Sequence, residues 1–246
     1  MWRGVPTASL EAMTVTVLLD NEPFSSGLMT DWGLSLLVEA DGVKVLMDTG
    51  SSARKLFANA SALGVKLDEL DAIFISHWHG DHCGALLELL DLSGGLDVFA
   101  PVEPGWWMTR RLRGRGASLV VLRRPSELLP GLHSTGDLGG EHSLVADLGD
   151  LGLVVLTGCS HPGAENVVER ACAYLAKRVY ALMGGFHISS YQEGRRLGTF
   201  LARKGVRLVC PCHCTGSSAK RGLAEVLGNA VVRCGVGRRL EFRSKG

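Results

Sequence analysis

Three histidines and one aspartate lie within the six-residue segment His77-Trp78-His79-Gly80-Asp81-His82. Imidazole and carboxylate are the side chains that bind zinc and its first-row neighbours. The segment directly follows an apolar run at residues 72–75, which is typical of a buried strand. Such dense clustering is hard to explain by packing or solubility. The spacing therefore predicts a metal site where a strand ends.

Three further histidines, His161, His187 and His213, each follow an apolar, strand-like segment in the second half of the chain. A lone histidine after a strand is usually an ordinary polar residue. Strand ends at one edge of a sheet, however, are where α/β proteins gather their active sites. Together with the first cluster, the three histidines indicate one converging site.

The elements that must position these residues alternate between strand-like and helix-like segments. Strands are predicted over residues 14–19, 34–39, 43–47, 71–75, 96–100, 119–122, 143–148, 151–156, 179–183, 207–210 and 230–233. Helices are predicted over residues 52–63, 85–90, 165–178, 191–204 and 218–227. Asp41-Gly42 and Gly149-Asp150 are typical of hairpin turns. The alternation predicts a layered α/β domain.

The composition gives no sign of a nucleic-acid-binding, a disulfide-rich secreted or a membrane-spanning protein. The 246 residues include 26 basic and 25 acidic side chains, a balance that gives no support for nucleic-acid binding. Seven cysteines, an odd number scattered along the chain, do not resemble a secreted disulfide framework. No segment has the apolar length of a membrane span or a signal core. We expect a cytoplasmic protein with one domain over residues 1–246, in which residues 1–13 are disordered or extended.

These motifs together resemble those of the metallo-β-lactamase superfamily. The resemblance rests on Asp48-Thr49-Gly50, the segment from His77 to His82, His161 and His213. Residues 157–161 (Thr-Gly-Cys-Ser-His), 184–187 (Gly-Gly-Phe-His) and 211–216 (Pro-Cys-His-Cys-Thr-Gly) are similar to one branch of it. That branch contains the archaeal dihydropterin ribofuranosylaminobenzene phosphate synthase-like proteins, often described as metal-dependent hydrolases. The resemblance implies a four-layer αββα sandwich.

The resemblance also implies two adjacent metal subsites that hold one or two ions of Zn²⁺, Mn²⁺ or Fe²⁺. The first would be formed by His77, His79 and His161, and the second by Asp81, His82 and His213. Asp48 corresponds to a buried aspartate that braces the metal loop without binding metal. Asp81 would also steer the proton of the attacking water.

His187 departs from the family pattern, because most members have a bridging aspartate there. A neutral imidazole ordinarily binds one metal, and it lacks the negative charge that holds two dications together. The second subsite is therefore expected to be weaker, differently occupied or empty. His187 as a ligand and His187 as an acid or base beside the metal both stay open, with ligation favoured.

Two features bear on the substrate. The segments after His161 and His213 run into predicted helices, whose N-termini bind anions such as phosphate, with Thr215 or Ser217 as a cap. Ordinary capping is the alternative. The connection at residues 105–118, which carries Trp106, Trp107 and several arginines, would form a pocket wall, a solvated loop or a dimer contact.

The cysteines near these motifs are expected to be buried thiols, although a thiolate ligand stays open. Cys210, Cys212 and Cys214 flank His213 with a spacing tighter than that of structural zinc sites. The same two alternatives, a buried thiol or a thiolate ligand, apply to Cys83 and Cys159. His133 and His142 are placed outside the site.

The sequence thus predicts a metal-dependent hydrolase or phosphate-processing transferase. A metal-bound water would act on a small, anionic, phosphorylated molecule, with a pterin-related one within the implied range. A non-enzymatic metal-binding or ligand-sensing module is the main alternative. A metal-dependent nuclease is disfavoured by the balanced charge. No membrane partner is expected, and a homo-oligomer stays open.

Overall fold

The computed structural model describes residues 9–244. Residues 1–8, part of the segment predicted to be disordered or extended, lie outside the described residues. Leu10 is already buried, and the first strand begins at Ala12. Within residues 9–244, no helix has both the length and the apolar character needed to cross a membrane.

Strands and helices alternate along the chain as the sequence indicates. The strands are β1 (Ala12–Leu19), β2 (Ser35–Ala40), β3 (Val43–Met47), β4 (Ala72–Phe74), β5 (Asp97–Ala100), β6 (Ser118–Val121), β7 (Ser126–Leu129), β8 (Leu132–Ser134), β9 (Leu144–Asp147), β10 (Leu153–Thr157), β11 (Val179–Gly185), β12 (Leu208–Cys212) and β13 (Arg239–Arg243). The helices are α1 (Ala53–Ala62), α2 (Gly80–Cys83), α3 (Leu86–Ser93), α4 (Trp106–Arg113), α5 (Ala164–Leu175), α6 (Tyr191–Lys204) and α7 (Ser217–Leu227). Short 3-10 turns occur at Leu67–Glu69, Gly149–Leu151 and Gly228–Ala230.

The strands form two mixed sheets. The first has the order β13-β1-β2-β3-β4-β5-β6, and the second has the order β12-β11-β10-β9-β8-β7. The β2–β3 hairpin turns at Asp41-Gly42, where both residues have positive φ, as the type I′ turn requires. The predicted hairpin about Gly149-Asp150 is the antiparallel β9–β10 pair.

Three apolar clusters hold the layers together. One fills the space between the two sheets and includes Val15, Phe74 and Met183. Another joins the first sheet to α1, α3 and α4, and the last joins the second sheet to α5, α6 and α7. These layers confirm the predicted αββα sandwich.

Strand direction determines where the site forms. Since β1 and β3 are both antiparallel to β2, they run the same way as each other and as β4, which is parallel to β3. In the second sheet β10, β11 and β12 are mutually parallel. The polar residues at the carboxyl ends of these strands therefore meet at one edge of the sandwich.

Several predicted elements differ from the structure. The predicted strand at residues 230–233 is wrong: its start lies in a 3-10 turn, and only Val231 makes an isolated bridge to Val209. The connection at residues 105–118 contains helix α4. Strands β7, β8 and β13 were not predicted, because they are short or carry charged residues at alternate positions.

Candidate metal centre

Four histidines of the site use the same ring nitrogen to contact a polar group at the edge of the cluster. The Nδ1 contacts are His77 to Ser76 Oγ (3.0 Å), His82 to Asp48 Oδ2 (2.7 Å), His161 to Glu141 Oε2 (2.7 Å) and His213 to Asn21 Oδ1 (3.0 Å). Since a carboxylate or amide oxygen accepts, the Nδ1 of the last three rings donates. When each of these rings is neutral, Nε2 is then the nitrogen that carries the free lone pair.

Hydrogen-bond directions extend this assignment to His77. Asp48 accepts from the backbone N–H of Ser76 at 2.7 Å and from the Ser76 hydroxyl at 2.7 Å. Because the hydroxyl's one proton goes to Asp48, Ser76 Oγ accepts from His77 Nδ1. The Nε2 lone pair of His77 is therefore free as well.

The ring nitrogens that remain face one another. His77 Nε2 lies 3.0 Å from His79 Nδ1, and His82 Nε2 lies 3.2 Å from His213 Nε2. In the neutral rings of His82 and His213 these are two lone pairs, which repel at this distance unless a proton or a cation lies between them. Two nitrogens bound to one tetrahedral zinc ion stand roughly 3.3 Å apart. The donor set thus fits a dication at each pair.

Asp48 and Asp81 have different positions around these rings. Asp48 is fully buried and is occupied by Ser76 and His82, which is the bracing geometry expected from the resemblance. Asp81 is half-buried, with Oδ2 3.3 Å from His213 Nε2 and 3.9 Å from His82 Nε2. Asp81 is therefore directed into the cluster, and Asp48 supports it from behind.

Glu141 is a residue of the site that sequence reasoning missed. Its carboxylate is buried and accepts from the backbone N–H groups of Cys159 (2.8 Å), Ser160 (2.7 Å) and His161 (2.9 Å), and from the His161 ring. A carboxylate with so many donors fixes both the loop and the orientation of the ring. Nothing in its sequence position, in a Gly-rich stretch before β9, signals this role.

Asp20 and Asn21, at the end of β1, support His213 in the same way. Asp20 Oδ1 accepts from the backbone N–H of His213 at 2.7 Å, and the Asn21 amide donates to its carbonyl at 3.1 Å. Burial raises the pKa of Asp20, although its hydrogen bonds oppose the shift. The strand-end pattern that selected the histidines also applies to these residues.

His187 lies at the open side of the cluster. Its ring is exposed, and its centroid lies 4.7 Å from that of His161. Non-glycine residues with positive φ, a costly conformation, occur at four strand ends of the site, Asp48, Ser160, His187 and His213. His79 and His161 are also exposed, whereas His77, His82 and His213 are buried.

Burial and neighbouring charges shift the pKa values of the three buried histidines. Burial, and then repulsion from His82 and His161, lower the pKa of His77 to about 2. Burial and His82 lower the pKa of His213 to about 4 against the attraction of Asp81. Burial also opposes the charged form of His82, but the adjacent Asp48 carboxylate outweighs it and raises the pKa of His82. His77 and His213 therefore keep their lone pairs well below neutral pH.

Thr215 does not have the predicted capping role. Its hydroxyl is buried and accepts from the backbone N–H of Phe186 at 3.0 Å, which ties the end of β11 to the segment before α7. Gly216, not Thr215 or Ser217, is the residue before the helix, and no side chain caps it. Thr215 is therefore a buried residue whose hydroxyl ties two strand ends of the site together.

The cysteines around His213 separate in space. Cys212 forms a disulfide with Cys234, a pairing that was not predicted. Cys210 is buried between the sheets, and burial raises its pKa to about 12. Because His213 has positive φ, the chain turns there, and Cys214 lies beside Cys159 and His187 instead.

A model of the metallo-beta-lactamase superfamily matches residues 33–213, a span that includes every histidine of this centre. The chain belongs to this superfamily. It is 26% identical to the 7,8-dihydropterin-6-methyl-4-(beta-D-ribofuranosyl)-aminobenzene-5'-phosphate synthase of Methanocaldococcus jannaschii, over 92% of this chain and 95% of that protein.

Solved structures of the superfamily have the same fold. The crystal structure of Tm1679, described as a metal-dependent hydrolase of the beta-lactamase superfamily, is 27% identical and aligns with a TM-score of 0.78 over 94% of this chain and 99% of that one. The metallo-beta-lactamase fold protein YhfI from Bacillus subtilis aligns with a TM-score of 0.69 over 94% of this chain and 100% of that one, at 16% identity. The second likeness concerns the fold alone.

Proposed function

We propose that this superfamily member is a metal-dependent hydrolase or phosphate-processing transferase that acts on a small, phosphorylated molecule. The observation that carries the proposal is the convergence of imidazole nitrogens at one place, four of them on rings whose Nδ1 contacts a polar group at the edge of the cluster. His77 and His79 face each other on one side, and His82 and His213 face each other on the other side. Neutral histidines held this way bind one or two dications.

A bound dication would supply Lewis acidity and a water whose pKa is lowered toward ~7. The protein's own groups provide orientation and proton transfer. Asp81 lies beside His213 and accepts the proton of the attacking water. His187, exposed beside His161, either completes a metal subsite or protonates the leaving group.

Helix termini near the site support an anionic substrate. Helices α5 and α7 begin shortly after His161 and His213, and neither has a side-chain cap. Side-chain caps occur at α1 and α6, through Ser52 and Ser190, and α2, α3 and α4 have none. Free backbone N–H groups at a helix N-terminus bind phosphate. The M. jannaschii relative is named for a product that carries a 5'-phosphate.

An exposed indole supports a planar ring in the same substrate. Trp32 is 62% exposed, and its ring centroid lies 5.2 Å from that of His213. Its loop is held by Asp31, which pairs with Lys55 at 3.0 Å and accepts from Ser51 at 2.8 Å. An exposed indole on an anchored loop offers a stacking surface, and the relative's name contains a dihydropterin.

A metal-dependent activity screen tests the proposal. Metal-free protein, and protein loaded with Zn²⁺ or Mn²⁺, would be assayed on phosphomonoesters, phosphodiesters, thioesters and lactams. We expect turnover only with metal, highest on phosphate-bearing compounds, and inhibition by inorganic phosphate. His161→Ala should abolish turnover and lower metal content, whereas Glu69→Gln, on the exposed surface, should change neither.

Other outcomes identify the alternatives. Metal binding without turnover of any substrate would favour a ligand-sensing module. Preferred cleavage of RNA would favour a nuclease. Full metal content in both His77→Ala and His161→Ala would contradict the assignment of the centre itself.

A further inference from the structure

Cys159 lies between the two histidine pairs of the metal centre. Its Sγ falls within 4.8 Å of the ligand nitrogens of His77 and His161, and within 4.8 Å of those of His82 and His213. Sγ lies 3.3 Å from His82 Nε2. One sulfur therefore belongs to both groups of metal-binding side chains.

The 3.3 Å separation of Cys159 Sγ from His82 Nε2 fits two ligands of a common ion. Zinc–sulfur bonds of ~2.3 Å and zinc–nitrogen bonds of ~2.0–2.1 Å place co-ligands roughly 3.5 Å apart in a tetrahedral site. The side chain is buried, and its backbone N–H is fixed by Glu141 at 2.8 Å. Its sulfur is thus held in place before any ion binds.

The end of β11 leaves room for the Cys214 sulfur. A Cβ at Gly185 would lie 2.6 Å from Cys214 Sγ and 2.5 Å from the Gly158 carbonyl oxygen, so no larger side chain fits there. Cys159 and Cys214 occupy this side of the cluster together with His187. Among the residues expected to bind metal, Asp81 alone carries a negative charge, so a further anionic side chain would stabilise two adjacent dications.

We propose that Cys159 is a thiolate ligand shared by the two metal subsites, in place of the bridging carboxylate. The proposal rests on the proposed metal-dependent function. On binding, the thiol proton leaves to solvent and sulfur lone pairs bond to the ions, with no change of oxidation state. This anionic bridge replaces the charge that His187 cannot supply.

Cobalt(II) substitution of the full-length protein tests the bridge. Wild type loaded with Co²⁺ should show a thiolate-to-cobalt charge-transfer band in the near ultraviolet beside its visible bands. Cys159→Ala should lose the near-ultraviolet band and bind about half as much cobalt. Cys172→Ala, in α5 outside the metal-binding groups, and Cys214→Ala should both keep the band.

The outcomes separate the bridge from the proposed function. If wild type binds cobalt and shows the visible bands but no charge-transfer band, Cys159 is not a thiolate ligand. The assignment of the metal centre would not be affected by that result. A band that persists in Cys159→Ala would also overturn the thiolate assignment. Failure of wild type to bind cobalt would overturn the proposed function as well.

X-ray absorption on zinc-loaded wild type removes any dependence on how the variant folds. The bridge predicts a sulfur scatterer ~2.3 Å from zinc. A shell of nitrogen and oxygen alone would overturn the proposal.

Discussion

Three of the four anchored histidines of the centre depend on a partner that is distant in sequence, whereas His77 contacts its neighbour Ser76. His161 is oriented by Glu141, His82 by Asp48 and His213 by Asn21. Such partners fix the tautomer and raise the basicity of the ring. The histidines can be recognised in the sequence from their spacing. Their hydrogen-bond partners cannot, because they come close to the histidines only when the strand ends meet in the folded protein.

Glu141→Gln should weaken metal binding by about 10- to 100-fold. The amide can still accept from Cys159 and Ser160 through its oxygen. Its nitrogen, however, would face the two His161 donors that now contact Oε2. The loop and ring must then shift. Competition with a chromophoric chelator measures the affinity.

The control for Glu141→Gln is Glu69→Gln, because Glu69 pairs with Lys44 and Lys66 on the surface away from the centre. This variant should retain wild-type metal affinity. Equal affinities for Glu141→Gln and wild type would show that the carboxylate charge is unimportant to His161.

Trp32→Ala should raise KM for ring-bearing phosphorylated substrates and leave metal content unchanged. Loss of a stacking contact costs about 0.5–1.5 kcal/mol, or about 2- to 13-fold. Trp106→Ala is the matched control, since Trp106 is also highly exposed, at 74%, but lies on α4. A larger effect of Trp106→Ala on KM would instead place the ring-binding wall at α4.

At the scale of elements, periodicity predicted the long segments well and the short ones poorly. Helix α6 was predicted over residues 191–204, and it begins and ends there, with a capping box formed by Ser190 and Glu193. Helix α4 was missed because Trp106 and Trp107 are exposed and only Leu112 is buried, so the apolar pattern is weak. Strand β13 pairs with β1 near the far end of the chain, a partnership that no local signal reveals.

Two glycines set the distance between α6 and α7. A Cβ at Gly194 would overlap the carbonyl oxygen of Ala219, and one at Gly222 would overlap that of Tyr191. The helix backbones therefore touch directly. Since α7 follows His213, their packing also positions one side of the metal centre.

Gly194→Ala and Gly222→Ala should each lower the free energy of unfolding by about 1–3 kcal/mol, because the added methyl forces the helices apart. Gly114→Ala is the control: Gly114 has φ −63° and its nearest obstacle is 3.4 Å away, so alanine should be neutral or stabilising. Chemical denaturation measures all three. A neutral result at both helix glycines would show that α7 shifts freely.

At the scale of the whole molecule, one buried histidine links the two sheets. His142 stacks on Phe74, the last residue of β4 in the first sheet, with ring centroids 3.9 Å apart. It contacts the carbonyl oxygen of the next residue, Ile75, at 3.0 Å. It also contacts the hydroxyl of Ser134, in β8 of the second sheet, at 2.8 Å. The sequence placed His142 outside the metal site but gave no indication of this link, since it depends on how the sheets pack.

The link should make stability depend on pH. Burial lowers the pKa of His142 to about 3, whereas in the unfolded chain the group titrates near its ordinary value of 6.5. Between these values the unfolded chain binds one proton that the folded chain does not. The free energy of unfolding should therefore be unaffected by this group above about pH 6.5 and should fall as pH drops toward about 3, by about 1.4 kcal/mol per pH unit.

His142→Gln removes the titrating group while it keeps an amide that can donate and accept. In metal-free protein, denaturation at pH 6, 5 and 4 should show a shallower loss of stability in the variant than in wild type. The difference between the two slopes should approach about 1.4 kcal/mol per pH unit. His77 and His213, whose pKa values are also lowered, contribute equally to both proteins and cancel in the comparison. Parallel curves would mean that His142 becomes charged inside the folded protein, and that the contact between the sheets opens before the chain unfolds.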